Sequence, residues 1–269
     1  MSAMETFTVE GNRLTLLTEG PARLDALVAL IDGARRSLRI LYYIYADDES
    51  GRRVNEALLA AAARGVRVAL IVDGFGSDAA SRKHFFDPLA AAGISICWFA
   101  PRFGRRYLLR NHQKLALADE ARIMIGGFNI ANDYFAAEDA DAWRDLGLLV
   151  EGPAAGRIAR YFDALREWVL LPAGRTRHLG RVLARWSEPA GRVRWLIGGP
   201  TRRLSPWARA VRHDMRLAAR IDIIAGYFTP SPTMLRRIDR AARRGDAVRI
   251  VTAARSDNNA TIAAARFSY

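Results

Sequence analysis

The chain has 269 residues, 51% of them apolar and 26% charged, which excludes a disordered protein and allows one large or two modest domains with real cores. Its formal charge of +13 points to a polyanionic partner, and its single cysteine, Cys97, excludes a disulfide framework and fits a reducing cytoplasm. Met1 to Gly11 lacks the apolar centre of a secretory leader, and no run approaches the roughly 18 apolar residues of a membrane span.

In chain order, Leu14 to Thr18 is a short strand ending at Gly20-Pro21. Arg23 to Ala34 has helical periodicity, with Leu24, Leu27, Val28 and Ile31 on one face. Leu38 to Ile44 is apolar and β-rich, the expected central strand. Asp47 to Gly51 reads as a turn, and Val54 to Arg64 as an alanine-rich helix closed by Gly65. Val66 to Val72 is the next strand, followed by Asp73-Gly-Phe-Gly-Ser77. A helix from about Ser81 to Ala92 ends at Gly93, before the strand that holds Cys97. This alternation predicts an α/β sandwich with right-handed crossovers. An arginine-rich loop, Pro101 to Arg106, then leads to a hairpin.

Asn111 to Ala118 alternates like a strand, so His112 and Lys114 project from one face and Leu115 and Leu117 from the other. Asp119 to Arg122 reads as a polar turn and Ile123 to Ile125 as the returning strand. Gly126-Gly127 lets the backbone approach a ligand closely, just before Asn129. Such a hairpin presents an imidazole, an ammonium and a carboxamide together, a kit for phosphoryl chemistry without a metal. Of 41 basic residues only Lys83 and Lys114 are lysines, so Lys114 marks a place for a compact ammonium rather than a planar guanidinium. Leu146 to Val150 supplies another strand and Ala155 to Leu170 a helix.

The pattern H-x-K-x(4)-D followed by G-G-x-N resembles the phospholipase D superfamily. Downstream, Asn129 to Tyr134, Trp143-Arg-Asp145, Glu151-Gly-Pro153 and Phe162 to Trp168 stand in the order of its cardiolipin synthase branch. The resemblance implies a phospholipase D-like α/β/α sandwich and phosphatidyl transfer through a phosphohistidine, with His112 as one of two required histidines. Whether His112 is the nucleophile or the acid/base stays open. By the same resemblance Lys114, Asn129 and Gly127 hold the phosphate, Asp145 orients the His112 ring, and Asp119 completes the catalytic motif. Asp119 lies at the turn, five residues past Lys114, where a structural hydrogen-bonding role suits it better. No metal or other cofactor is implied. The implied partners are anionic phospholipids such as phosphatidylglycerol, met by a peripheral protein at the inner face of the cell membrane. A nuclease gripping DNA or RNA with arginines is the first alternative, and a catalytically silent anion-binding module the second.

Residues 171–191 form a basic connector between a first repeat, 1–170, and a second, 192–269. Residues 171–216 hold eleven arginines against Glu188 and Asp214, a net +9, a concentration that attracts phosphates on a bilayer or a nucleic acid. Within the connector, Leu179, Val182, Leu183 and Trp186 stand at helical spacing, which suits a packed surface helix better than an interfacial one. The second repeat echoes the first: Tyr42-Tyr43 recurs as Tyr227-Phe228, Ala61 to Gly65 as Ala241 to Gly245, and Ser77-Asp78 as Ser256-Asp257. At an offset of about 180 the counterpart of His112 falls near position 292, so the repeat is expected to be incomplete and the chain inactive alone. The partial repeat is expected to dock beside the first half and obstruct symmetric dimerisation.

Overall fold

The computed structural model describes residues 5–99, 110–137, 142–171, 176–188, 190–199, 205–226, 228–245 and 247–252. The Pro101 to Arg106 loop, Arg175, Tyr227 and Ser256-Asp257 lie outside them. The chain forms two compact units, Met1–Ser205 and Pro206–Tyr269.

The first unit is an eight-stranded sheet in the order β1-β2-β8-β7-β6-β3-β4-β5. Its strands are β1 (Thr6–Val9), β2 (Asn12–Leu17), β3 (Ser37–Tyr42), β4 (Arg67–Asp73), β5 (Ser95–Phe99), β6 (Leu115–Ala118), β7 (Arg122–Gly126) and β8 (Gly147–Glu151). β3, β4 and β5 are parallel neighbours, and every other pairing is antiparallel. The central strands are apolar on both faces because both faces are covered. Ile40, Leu70 and Ala116 face α1 (Gly20–Asp32) and α2 (Glu49–Ala63), in a core with Leu27, Ile31, Val54 and Leu58. Leu41, Ile71 and Leu117 face α6 (Pro153–Arg157) and α7 (Ala159–Leu170), packing with Phe162 and Leu165. This is the α/β/α sandwich expected from the sequence, and its reactive residues lie where the parallel strands end.

Several boundaries differ from expectation. The Asp47 to Gly51 turn is the start of α2: Asp48 accepts a hydrogen bond from the Gly51 N–H at 2.8 Å, an N-cap with Glu49 in the first turn. The helix expected over Ser81 to Ala92 is two short ones, α3 (Asp78–Arg82) and α4 (Asp87–Ala91). Between them His84 takes a left-handed φ of 57°, which turns Phe85 and Phe86 edge-on against Tyr45. The connector contains α8 (Thr176–Arg185), whose Leu179, Val182 and Leu183 are buried against α7. Val193, Trp195 and Ile197, placed by sequence in the second repeat, pack on this same core.

The second unit orders α9 (Pro206–Leu217), β9 (Arg220–Ala225), α10 (Pro232–Arg243) and β10 (Ala247–Thr252). This repeats α1-β3-α2-β4. In both units the parallel strands pair over six residues, Ser37 to Tyr42 with Arg67 to Val72 and Arg220 to Ala225 with Ala247 to Thr252. Among the described residues no helix is long and apolar enough to cross a membrane.

Candidate active site

The site is assembled where β3 and β4 end and β6 begins. Beyond β3, the backbone of Tyr43 to Tyr45 is pinned from two sides. The Ser77 hydroxyl donates to the Tyr43 carbonyl at 3.1 Å and accepts from the Tyr45 N–H at 2.9 Å. On the other side, the Ile44 N–H donates to the Asn129 side-chain oxygen at 3.0 Å. Gly76 makes the approach possible, since a Cβ there would lie 2.2 Å from the Tyr43 carbonyl oxygen. The held Tyr43 ring then stacks on the His112 imidazole, centroids 3.8 Å apart and planes 20° from parallel.

Asp73, at the end of β4, is fully buried beneath this stack. One carboxylate oxygen accepts from the N–H groups of Phe75 and Gly76 at 3.0 and 3.1 Å, and the other from the Asn111 N–H at 3.0 Å. The Asn111 side chain in turn accepts from the Gln113 N–H at 3.0 Å. Alternation then divides the side chains. Gln113 points toward α7, accepting from the Tyr161 hydroxyl at 2.5 Å and donating to the Gly198 carbonyl at 2.8 Å. His112 and Lys114 share the opposite side, as the sequence predicts, although β6 itself begins only at Leu115.

Lys114 donates from Nζ to the His112 carbonyl at 2.7 Å and lies 5.5 Å from the Tyr43 ring centroid. Burial lowers its pKa to about 8, against the opposing pull of the Asp145 and Asp73 carboxylates. His112, although it remains exposed at one side, is also held below its ordinary value, by partial desolvation first and by the neighbouring Lys114 charge second, with Asp73 opposing. The two effects favour a neutral imidazole beside a cation at neutral pH.

The remaining sequence-selected residues are placed unequally. Asp145 precedes β8, beside the end of β7. Burial raises its pKa, while the Leu146 and Gly127 N–H groups, donating at 2.7 and 3.2 Å, oppose the rise together with the Arg23 and Lys114 charges. Its charge raises the Lys114 pKa, as does that of Asp73, and Asp73, which the sequence reading passed over, is the carboxylate whose charge raises that of His112. Gly127 was selected as a phosphate contact, but its N–H points to Asp145, and a Cβ there would sit 2.6 Å from that carboxylate. Asn129 is buried, with its side-chain oxygen engaged by the Ile44 N–H.

Asp119 is not brought to the site. It occupies the β6–β7 turn with a left-handed φ of 54°, and its carboxylate accepts from the N–H groups of Arg35, Arg36 and Ser37 at 2.7 to 2.9 Å. Those residues begin β3, the end opposite Tyr43. Sequence reasoning also missed Tyr43 and Arg23. Tyr43 was visible only as half of a repeated aromatic pair. Arg23 is a fully buried arginine on a helix read as amphipathic, and it donates to the carbonyls of Tyr134, at 2.8 Å, and Asp145, at 2.6 Å.

Residues 27–166 match the family described as cardiolipin synthase, PLD-like domain. Cardiolipin synthase 1 of Bacillus cereus is 30% identical over 257 residues, covering 90% of this chain and 50% of its own length. Cardiolipin synthase B of Escherichia coli is 28% identical over 276 residues, covering 97% and 64%. The chain thus spans about half to two thirds of these curated relatives. A phosphatidylserine synthase from Haemophilus influenzae shares the fold, with a TM-score of 0.66 at 14% identity over 93% of this chain and 63% of that one.

Proposed function

The chain belongs to the cardiolipin synthase, phospholipase D-like domain family, and from that premise we propose that its site transfers a phosphatidyl group between phospholipids through a covalent adduct on His112. The observation that carries this reading is the His112–Lys114 pair, a ring favoured in its neutral form beside a retained positive charge. In the first step an imidazole nitrogen bonds to phosphorus, and the bond from phosphorus to the departing alkoxide breaks. That alkoxide takes a proton from an acid. In the second step the acceptor alcohol gives its proton to the resulting base and attacks phosphorus, which frees the imidazole. Lys114 and the Asn129 amide stabilise the charge that builds on the non-bridging oxygens.

The site residues include one histidine, while the double displacement uses two imidazoles. Of the other histidines in the first unit, His84 is bonded to Asp87 at 2.9 Å and His178 is exposed on α8. We therefore expect these 269 residues to form the adduct only where the leaving group departs without a proton, and to stall there unless a second imidazole is supplied by another copy or another segment.

A substrate whose leaving group needs no proton tests this. Phosphatidyl-p-nitrophenol in mixed micelles with chelator should release one equivalent of p-nitrophenolate per chain and leave a phosphatidyl mass on His112. His112→Ala should abolish both. A burst from thymidine 5′-(p-nitrophenyl phosphate), with none from the lipid, would replace this reading by the nuclease one.

A further inference from the structure

The large apolar side chains left in water in the first unit are unevenly placed. Among its described residues they are Phe7, Phe75, Leu146, Leu170 and Leu171, each between 49% and 58% exposed. Phe75 is two residues past Asp73, and Leu146 directly follows Asp145. The Phe75 N–H donates to the Asp73 carboxylate, which also holds the Asn111 N–H beside His112, and the Leu146 N–H donates to the Asp145 carboxylate, which also takes the Gly127 N–H, so these two residues flank the site. Leu170 and Leu171 reach the same end of the sheet. α7 runs with β5, from the Arg166–Ser95 hydrogen bond at the start of that strand to the Trp168–Phe99 ring contact at its end. Only Phe7, on edge strand β1, stands apart. A cation is built into the rim as well, for the Arg110 guanidinium lies 4.5 Å from the centroid of the Phe75 ring.

The opposite end of the sheet has the contrary character. There Arg39 pairs with Asp163 and Glu120, and Asp119 is tied to the amides of Arg35 to Ser37. The first unit is thus polar at one end and apolar, around a cationic centre, at the other.

We propose that the rim formed by Phe75, Leu146, Leu170 and Leu171 inserts into the surface of an anionic phospholipid bilayer. Seated there, Lys114 and Arg110 lie at the level of the lipid phosphates while the apolar side chains enter the acyl boundary. Charge complementarity alone fits any polyanion, but a nucleic acid has no hydrocarbon layer to receive four exposed apolar side chains. The proposal rests on the lipid reading of the site and adds the face through which lipid is met.

The test uses the full chain, with Cys97 buried and therefore unreactive toward a thiol label. Phe75→Cys, Leu146→Cys and Phe7→Cys are each coupled to a polarity-sensitive dye and mixed with phosphatidylglycerol vesicles. Labels at 75 and 146 should brighten and shift to the blue, and the label at 7 should not. The pair Phe75→Ser with Leu146→Ser should lower vesicle partition roughly tenfold per residue. If the chain binds the vesicles and neither rim label responds, the rim proposal fails while the lipid reading stands. If it binds no vesicles and reacts with the nucleotide ester, both fail.

Discussion

Lys114 and His112 set opposite limits on the pH at which the site is ready. The ammonium, with its pKa lowered to about 8, carries charge below that value and loses it as pH rises. The imidazole, held below its ordinary value, becomes neutral and nucleophilic at a pH lower than an exposed histidine would. The burst rate should therefore climb as pH rises through a value below that of an ordinary histidine and fall again near 8. Lys114→Arg should abolish the upper limb, because a guanidinium keeps its proton, and Lys114→Ala should slow the burst roughly a hundredfold at neutral pH. A wild-type profile flat through pH 8 would show that Lys114 supplies no charge to the reaction. Both residues were legible in the sequence because they alternate along the extended segment that leads into β6. Asp73 was not, because the amides that surround it come from positions 75, 76 and 111, which only tertiary folding joins.

The β6–β7 hairpin illustrates the same limit at the next scale. Its strands were visible as apolar alternation, but the motif aspartate at its tip serves the fold. Burial pushes the Asp119 carboxyl up, and three amide hydrogen bonds with the Arg36 charge outweigh this, leaving it below its ordinary value. A carboxyl with a depressed pKa contributes stability at neutral pH that disappears as pH falls through the folded-state value. Asp119→Ala should lower unfolding free energy by about 1–3 kcal/mol at pH 7, since solvent partly replaces the lost acceptor, and by less in acid. The His112 ring resonances should not move. A shifted imidazole spectrum would mean that the turn also governs the site. Helix boundaries were the less legible elements: the break at His84 is set by where Phe85 and Phe86 find Tyr45, a contact no local periodicity encodes.

At the scale of the molecule, the repeated α-β-α-β order was legible as recurring strings, but the division of packing was not. The basic connector and Val193 to Ile197 carry enough apolar residues to complete the first core, so the boundary by packing falls at Ser205. Among the described residues the second unit has a small core, with Met215, Ile221 and Ala241 as its buried centre. Small cores offset less conformational entropy, so β9 and β10 amides should exchange hydrogen at least tenfold faster than those of β3 and β4. Equal protection would show that the second unit draws stability from beyond its own core. One property of β9 follows from the two-stranded sheet itself. Among the described residues it pairs on a single side, with β10, and Ile224 on its face is 85% exposed. Asp222, gripped by Arg220 and Arg249, is the charge set against strand addition there. Wherever the other side of β9 stays unpaired at high concentration, the residues from Ile221 to Ala225 would template edge-to-edge assembly, and Asp222 is the buffer against it.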